Sequence, residues 1–471
     1  MNQPKHLVLA AWFALLLACS AQAKQKYWAL SPYRIELTIA ARGEPVQQAG
    51  LAAELEEAIR ERVQTTLAPR WSLDIKPADA ASTHALVAAD NAAFALTDEE
   101  DPAGYDKRMV LAVDATPRGY LLRCRERDCR VDRWGATQTQ LLRQGSMLHD
   151  ACFALICRTF APLVEVRSLP DNDDQVEARF KGSELPAQTR VGELYAPGEV
   201  FLPMIARTDR SGEIREGSAT DMPWTYITLA EETDSGWLCD IRSGLRGPFR
   251  QRRRGRVLRL ALALRNPPGP ATIRFYARHS QELGLTGYEV FRRTPGAETS
   301  EPLGLTDNAG RVRVEPLHDH RVVDIFLRSD GQVLAKVPVA AGAKAELEVP
   351  IADDTARLRA QAQLTSLRQE LMDVVARRNI LIARAKRRLE DQDVSGAREF
   401  LNQLDDLPSS ARFDQRLRSA AESKKNRSED ERVQGRIDKL FDDTRKLLGR
   451  FLSPTPISNL RSEVNRAAQG G

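Results

Sequence analysis

The densest chemistry in the sequence is basic. Arg242, Arg246, Arg250, Arg252, Arg253, Arg254, Arg256 and Arg259 fall in one stretch, and no acid occurs from Ile241 to Leu260. Guanidinium groups bind oxyanions bidentately, so this set suits phosphates, anionic lipid headgroups, anionic glycans or an acidic partner. Arg250, Arg252, Arg253, Arg254 and Arg256 are the candidate ligand-binding residues, and Gly247-Pro248 and Gly255 place most of them on a loop. The competing reading is a solvated loop neutralised by the rest of the chain. Nucleic acid is disfavoured, because an exported protein rarely meets it and the net charge is only +4.

Other constellations are thinner. His318-Asp319-His320 offers two imidazoles on one strand face, but two nitrogens are too few for a metal and no third ligand is identifiable. The segment follows Pro316 and reads as a surface turn, and His84 and His149 each stand alone near a helix start. Six His in 471 residues leave few general bases. There is no Gly-x-Ser-x-Gly, no P-loop and no Gly-x-Gly-x-x-Gly. Ser211-Gly212 and Ser243-Gly244 sit in turns, and Glu99-Glu100 lies in the acidic loop Asp98–Asp101. Trp224 and Trp237 read as barrel core sooner than as a ligand groove. No catalytic residue, metal or cofactor is assigned.

The six cysteines bear on compartment and pairing. Lys5 and the apolar run Leu7–Ala18 form an export leader too short to span a bilayer. Ala21-Gln22-Ala23 is a small-x-small cleavage site, giving a leader over 1–23. Leu16-Leu17-Ala18-Cys19 resembles a bacterial lipobox, which implies lipidation at Cys19, although Leu17 departs from that pattern. Either route predicts an extracytoplasmic protein: periplasmic, envelope-bound or secreted. Cys124 and Cys129 flank the polar run Arg125-Glu126-Arg127-Asp128. A hairpin pairing Tyr120–Cys124 with Cys129–Arg133 would face the two sulfurs and allow a disulfide; two free thiols are the alternative. Cys152 and Cys157 lie on different faces of one helix, and no CxxC spacing suggests zinc.

The length, too great for one core, predicts a multidomain α+β protein. Tyr33, Ile35, Leu37 and Ile39 alternate as a strand, Leu51, Leu55, Ile59, Val63 and Leu67 trace an amphipathic helix, and Trp71, Leu73 and Ile75 alternate again. Met109–Val113 is a buried strand, and Leu148, Cys152, Leu155, Ile156 and Phe160 trace a second helix. These give an α+β sandwich over 24–169, similar in layout to small α+β domains of bacterial outer-membrane assembly proteins. An acidic linker around Asp171-Asn172-Asp173-Asp174 is expected over 170–190. Strand signals at Val200–Arg207, Trp224–Leu229, Trp237–Ile241 and Val257–Leu264 predict a small β-barrel or sandwich over 191–264.

Six strand signals follow between Thr272 and Pro350. Gly287-Tyr288-Glu289-Val290, with Thr306-Asp307 leading to Gly310-Arg311-Val312, resembles the carboxypeptidase-regulatory-like, prealbumin-type β-sandwich over about 272–350. The resemblance implies an accessory, non-catalytic module over 265–350. From Ala356 helix formers take over. Leu364, Leu367, Leu371, Val374, Leu381 and Leu389 mark a helix about 50 Å long. Val394–Leu404 marks a second helix, ended by Pro408. Phe413–Phe451 marks a third, with a break suggested near Ser423–Ser428. A helical hairpin or coiled-coil arm is expected over 351–453 and a flexible tail over 454–471.

The arm carries 24 Lys and Arg against 17 Asp and Glu from Arg357 onward, leaving the body mildly acidic. The chain as a whole resembles secreted multidomain proteins of planctomycete-like genomes, a resemblance that implies no activity. The leading expectation is an exported, non-catalytic scaffold, adhesion or assembly protein of the cell envelope. Its arm would contact a partner or a second copy, and no membrane span remains in the mature chain. The alternatives are an extracytoplasmic hydrolase with its site between the first two domains, and a binder of anionic glycan or lipid through the Arg242–Arg259 loop.

Overall fold

The computed structural model describes residues 28–42, 48–89, 94, 104–170, 172–186, 194–210, 212–234, 236–250 and 256–470. The expected export leader with Cys19, Arg252, Arg253, Arg254 and the expected Asp98–Asp101 loop lie outside them. The chain is mixed α+β and multidomain. No helix among the described residues is long and apolar enough to cross a membrane.

The first domain is a sheet with helices on both faces. Its elements are β1 (Tyr33–Arg42), α1 (Gln48–Thr66), β2 (Trp71–Pro77), α2 (Ala80–Ala88), β3 (Lys107–Thr116), β4 (Gly119–Asp128), β5 (Arg133–Trp134), β6 (Gln138–Leu142) and α3 (Leu148–Thr159). The strand order is β2-β1-β3-β4-β5, with β6 also on β4. β1 runs parallel to β2 and β3, and β3 and β4 form an antiparallel hairpin. Strand alternation sends Ile35, Leu37, Met109 and Leu111 against α1 and α3, while Ala40, Val110 and Ala112 face α2.

Of the two readings of Cys124 and Cys129, the structure shows the free thiols. The expected turn Arg125–Asp128 is strand, with Cys124 within it and Cys129 directly after it, so the two do not face each other across a hairpin. A polar run stays extended here because each of its faces is satisfied. Glu126 and Asp128 point inward onto Lys107, and Arg125 and Arg127 lie over the Trp134 ring. Burial pushes the Cys124, Cys152 and Cys239 thiols up to about 12. Two outcomes follow: dithiothreitol leaves the melting temperature unchanged, and these three thiols resist iodoacetamide at about pH 8 until the protein unfolds.

The second domain begins earlier than the sequence suggests. The segment read as the end of the first domain and an acidic linker is the hairpin β7 (Leu163–Leu169) and β8 (Asn172–Phe180). Asn172 Oδ1 accepts from the Asp174 N–H at 2.9 Å, and Asn172, Asp173 and Asp174 open strand β8. Beyond them Val176, Ala178 and Phe180 point inward. With β9 (Val200–Arg207), β11 (Thr225–Thr233), β12 (Gly236–Ser243) and β13 (Val257–Ala263), the strands close in the order β7-β8-β12-β11-β9-β13, and β13 returns to β7. The short β10 (Thr220–Asp221) adds to β9 outside this ring. The domain is therefore a closed six-stranded antiparallel barrel filled by side chains, among them Trp237. Trp224 does not join that core; it packs against the next domain.

That domain is a sandwich of two four-stranded sheets around one core. β14 (Ala271–Ala277) pairs with β15 (Ser280–Gly284), β18 (Arg311–Val314) and β21 (Glu346–Ile351). The facing sheet runs β17 (Glu301–Leu305), β16 (Glu289–Arg293), β19 (Val322–Ser329), β20 (Gln332–Ala340). Arg265 and Asn266 tie the three domains together. Arg265 Nε donates to the Phe160 carbonyl at 2.9 Å and its Nη1 pairs with Glu199 at 2.8 Å, while Asn266 Nδ2 donates to the Gly342 carbonyl at 2.8 Å.

The C-terminal helices form a closed bundle. α4 (Thr355–Glu390) is the spine, about 54 Å long at about 1.5 Å per residue. α5 (Val394–Asp405) and α6 (Ser410–Glu422) return along it, broken at Pro408, and α7 (Glu431–Phe451) and α8 (Thr455–Gly470) run back again, broken at Pro454. The near half of α4 packs on α6 and α7, and the far half on α5 and α8. The expected flexible tail is thus helix α8, held by buried Leu460 and Val464. Pro454 and Pro456 interrupt the third strand of the bundle and do not end it, because Pro is tolerated in a first helical turn. Arg378 on the spine donates to the Ser453 carbonyl at the break.

Candidate functional site at the mouth of the barrel

One end of the barrel is built from the ends of β7 and β12 and the starts of β8 and β13, and the turn Gly247–Arg250 lies there. Gly247-Pro248-Phe249-Arg250 is a turn closed by the Arg250 N–H donating to the Gly247 carbonyl at 3.0 Å. Gly247 has φ +53°, and a Cβ there would meet Arg250 Cδ at 2.9 Å. The turn drives Phe249 into the barrel core at 3% exposure and turns Arg250 outward onto Asp173 of β8. Phe249 therefore anchors the segment, and local turn chemistry aims Arg250.

A cavity of about 330 Å³ lies beneath this turn, lined by Arg250, Arg259, Asp173, Asn172, Gln175 and Ser168 among others. Arg259 Nη1 donates to Ser168 Oγ at 2.8 Å. Asn172 Nδ2 donates to Gln175 Oε1 at 2.9 Å, and Gln175 Nε2 to Asp240 at 3.0 Å. A second cavity of about 640 Å³ on the other side of the turn is lined by Arg246, Leu245 and Ile205.

The structure thus brings together Arg250 and Arg259 from the basic stretch. Arg256 is exposed at the start of β13, and Arg252, Arg253 and Arg254 lie outside the described residues. Ser168, Asn172 and Asp173 are not legible as partners, because their segment reads as the end of the first domain and a linker. His318 is fully exposed and contacts Asp319 at 3.0 Å. Among the described residues no group of three or more His, Cys, Asp or Glu is placed to hold a metal.

A cavity of about 250 Å³ also opens between the first domain and the barrel, where a hydrolytic site was the alternative. It is lined by Asp106, Cys129, Arg130 and Glu213 among others, and no histidine is among the described residues that line it. Arg130 bridges Asp106 and Glu213, both at 3.2 Å. Behind it lies a buried charge network that the sequence reading missed. Lys107 is 0% exposed and its Nζ contacts Glu126 at 2.6 Å, Asp128 at 2.8 Å and the Ala161 carbonyl. Asp106 also holds Lys181, carried by the barrel's chain segment. Burial alone would lower the Lys107 pKa, but Asp128 and Glu126 outweigh it and hold the ammonium above its ordinary value. Its contribution is present through neutral pH and lost only as pH rises through that elevated value. The period-two alternation of Arg125, Glu126, Arg127 and Asp128 is the signal that would have found this network.

No family model and no curated protein matches the sequence. Among solved structures, TolB from Acinetobacter baumannii is similar with a TM-score of 0.18 and 12% identity, over 68% of this chain and 86% of that one. The Bacillus anthracis TIE protein is similar with a TM-score of 0.15 and 13% identity, over 45% of this chain and 46% of that one. Likenesses at these scores carry no argument about fold or function.

Proposed function

We propose that the protein is an exported, envelope-associated, non-catalytic scaffold whose helical rod makes protein–protein contacts. One observation carries this reading: a spine of 36 residues, closed into a bundle by its own chain and docked to the sandwich, makes a long, stiff presenter. The docking is specific. Arg278 of the sandwich meets Asp430 of the bundle at 3.3 Å, and Gln361 Nε2 on α4 donates to Asp330 of the sandwich at 2.6 Å. In this reading the prealbumin-type sandwich is an accessory mount.

Because the apolar seam is closed internally, contact with a partner uses the outer face of the rod. That face exposes Met372 at 63% and Ile380 at 53%, both on α4. Cross-linking of the full-length chain in the envelope of its host, followed by identification of the products, should give a defined partner. The product should vanish in M372D/I380D and persist in H318A. Cross-linking unaffected by M372D/I380D, or turnover of a substrate by a mapped nucleophile, overturns the reading.

A further inference from the structure

Trp224, left out of the barrel core, stands between β10 and β11 with φ +49°, in the left-handed region. That conformation is costly for a bulky side chain and suits glycine. The surroundings enforce it. The Trp224 carbonyl accepts from the Gly244 N–H at 2.9 Å, and the next residue, Thr225, has its Oγ1 2.8 Å from Ser243 Oγ. Gly244 is itself wedged against the sandwich, where a Cβ would meet the Lys336 carbonyl at 2.7 Å. A strained residue held in place by both domains points to a use for its side chain.

The indole lines a cavity of about 350 Å³ between the barrel and the sandwich. Leu202 and Met222 add apolar wall from the barrel, and Leu347 from the sandwich. The charged lining residues are Asp221, Lys344, Glu346 and Glu348, and each carboxylate already has a cation. Asp221 meets Arg133 at 3.1 Å and Lys344 at 3.9 Å, Glu346 meets Arg311 at 3.2 Å, and Glu348 meets Arg274 at 3.0 Å. A charged ligand would have to disturb these pairs, whereas a neutral one would not. Hydrogen-bonding capacity remains for a neutral ligand. The Trp224 indole N–H has no partner among the described residues. Lys344, at 3.9 Å from Asp221, is beyond hydrogen-bond distance of it. A carboxylate has about four lone-pair sites, so Glu346, 48% exposed, can accept from a ligand while it keeps Arg311. Aromatic surface, apolar wall, donors and an acceptor together complement a sugar ring. Its C–H groups carry slight positive charge and pack on the negative face of an aromatic ring, and its hydroxyls both donate and accept.

We propose that this cavity binds a neutral pyranose unit of a glycan against Trp224, with Lys344 donating to a hydroxyl oxygen and Glu346 accepting from a hydroxyl. The volume falls within the usual range of small-molecule sites, which favour domain interfaces. The proposal does not depend on the scaffold reading, since the lining comes from the barrel and the sandwich alone.

The test is calorimetric titration of the full-length chain with three neutral probes, cellotetraose, chitotetraose and maltotetraose, and one charged probe, tetragalacturonate. At least one neutral tetrasaccharide should bind, with an affinity that changes less than about twofold between about 50 and about 500 mM salt. Binding should weaken about tenfold or more in W224A and in E346A, as for a lost aromatic contact and a lost charged hydrogen bond. W224F, which keeps an aromatic ring, and E346Q, which keeps an acceptor, should each fall between the parent and the alanine variant. E346A changes an exposed side chain, so its result stands even where W224A disturbs the fold. M372D/I380D, altered on the rod, should bind as the parent does, which separates this site from the contact face of the rod. The proposal is overturned if no neutral tetrasaccharide binds, if tetragalacturonate binds in their place, or if W224A or E346A binds as the parent does.

Discussion

Replacing Lys107 with methionine will destabilise the first domain by about 3–5 kcal/mol, the range for breaking a buried ion pair from one side. Lys107 is 0% exposed, and its ammonium is the charge that contacts Glu126 and Asp128. Methionine fills similar volume, so the loss is not a cavity effect. It comes from two carboxylates left in a low-dielectric interior without their cation. The remaining contacts do not compensate. Glu126 Oε2 keeps the Ala161 N–H at 2.8 Å, and Asp128 Oδ1 keeps the N–H groups of Arg130 and Val131 at 3.0 and 3.1 Å. Urea unfolding monitored at several probes is the measurement, since a multidomain chain need not unfold in one step. The companion K107M/E126Q, with one buried charge fewer to satisfy, should recover part of the loss. A K107M chain within about 1 kcal/mol of the parent would show that water reaches these groups.

Leu364→Ala will lower the stability of the helical bundle by about 2–5 kcal/mol, as large-to-small changes in packed cores do. Leu364 is 1% exposed and lies in the cluster shared by α4, α6 and α7. The same substitution distinguishes two views of the arm. A stripe reserved for an external partner would lose binding while the free chain kept its stability. A stripe closed by its own chain loses stability in the isolated protein, without any partner. Helical ellipticity followed through thermal unfolding measures the difference, and an unchanged bundle transition in L364A would return the seam to the partner.

Several elements were readable because their signals are local. The alternation of Tyr33, Ile35, Leu37 and Ile39 and the four-residue recurrence from Leu51 to Leu67 reflect backbone periods that any window of sequence displays. The helix breaks at Pro408 and Pro454 were visible for the same reason, though the second was read as an end. The stretch Arg125–Asp128 was misread because polar residues usually mark a turn, and only Lys107 and Trp134, distant in sequence, make them a strand. The strand at Asn172–Phe180 was hidden by the acidic cluster that opens it. At the mouth of the barrel the arginines are evident in the sequence, and the opposite wall of the cavity is not.

Local pattern carries the succession of sheet, barrel strands, sandwich and helices, and it marks the basic stretch from Arg242 to Arg259. Contacts between distant parts of the chain settle that six strands close into a barrel, that Phe249 anchors the basic turn at its mouth, and that the helical seam is covered by the chain's own returning helices. The physical reason is range. Backbone periodicity is set by neighbours a few residues away, whereas the choice of what each buried face or charge meets depends on contacts made across the whole chain.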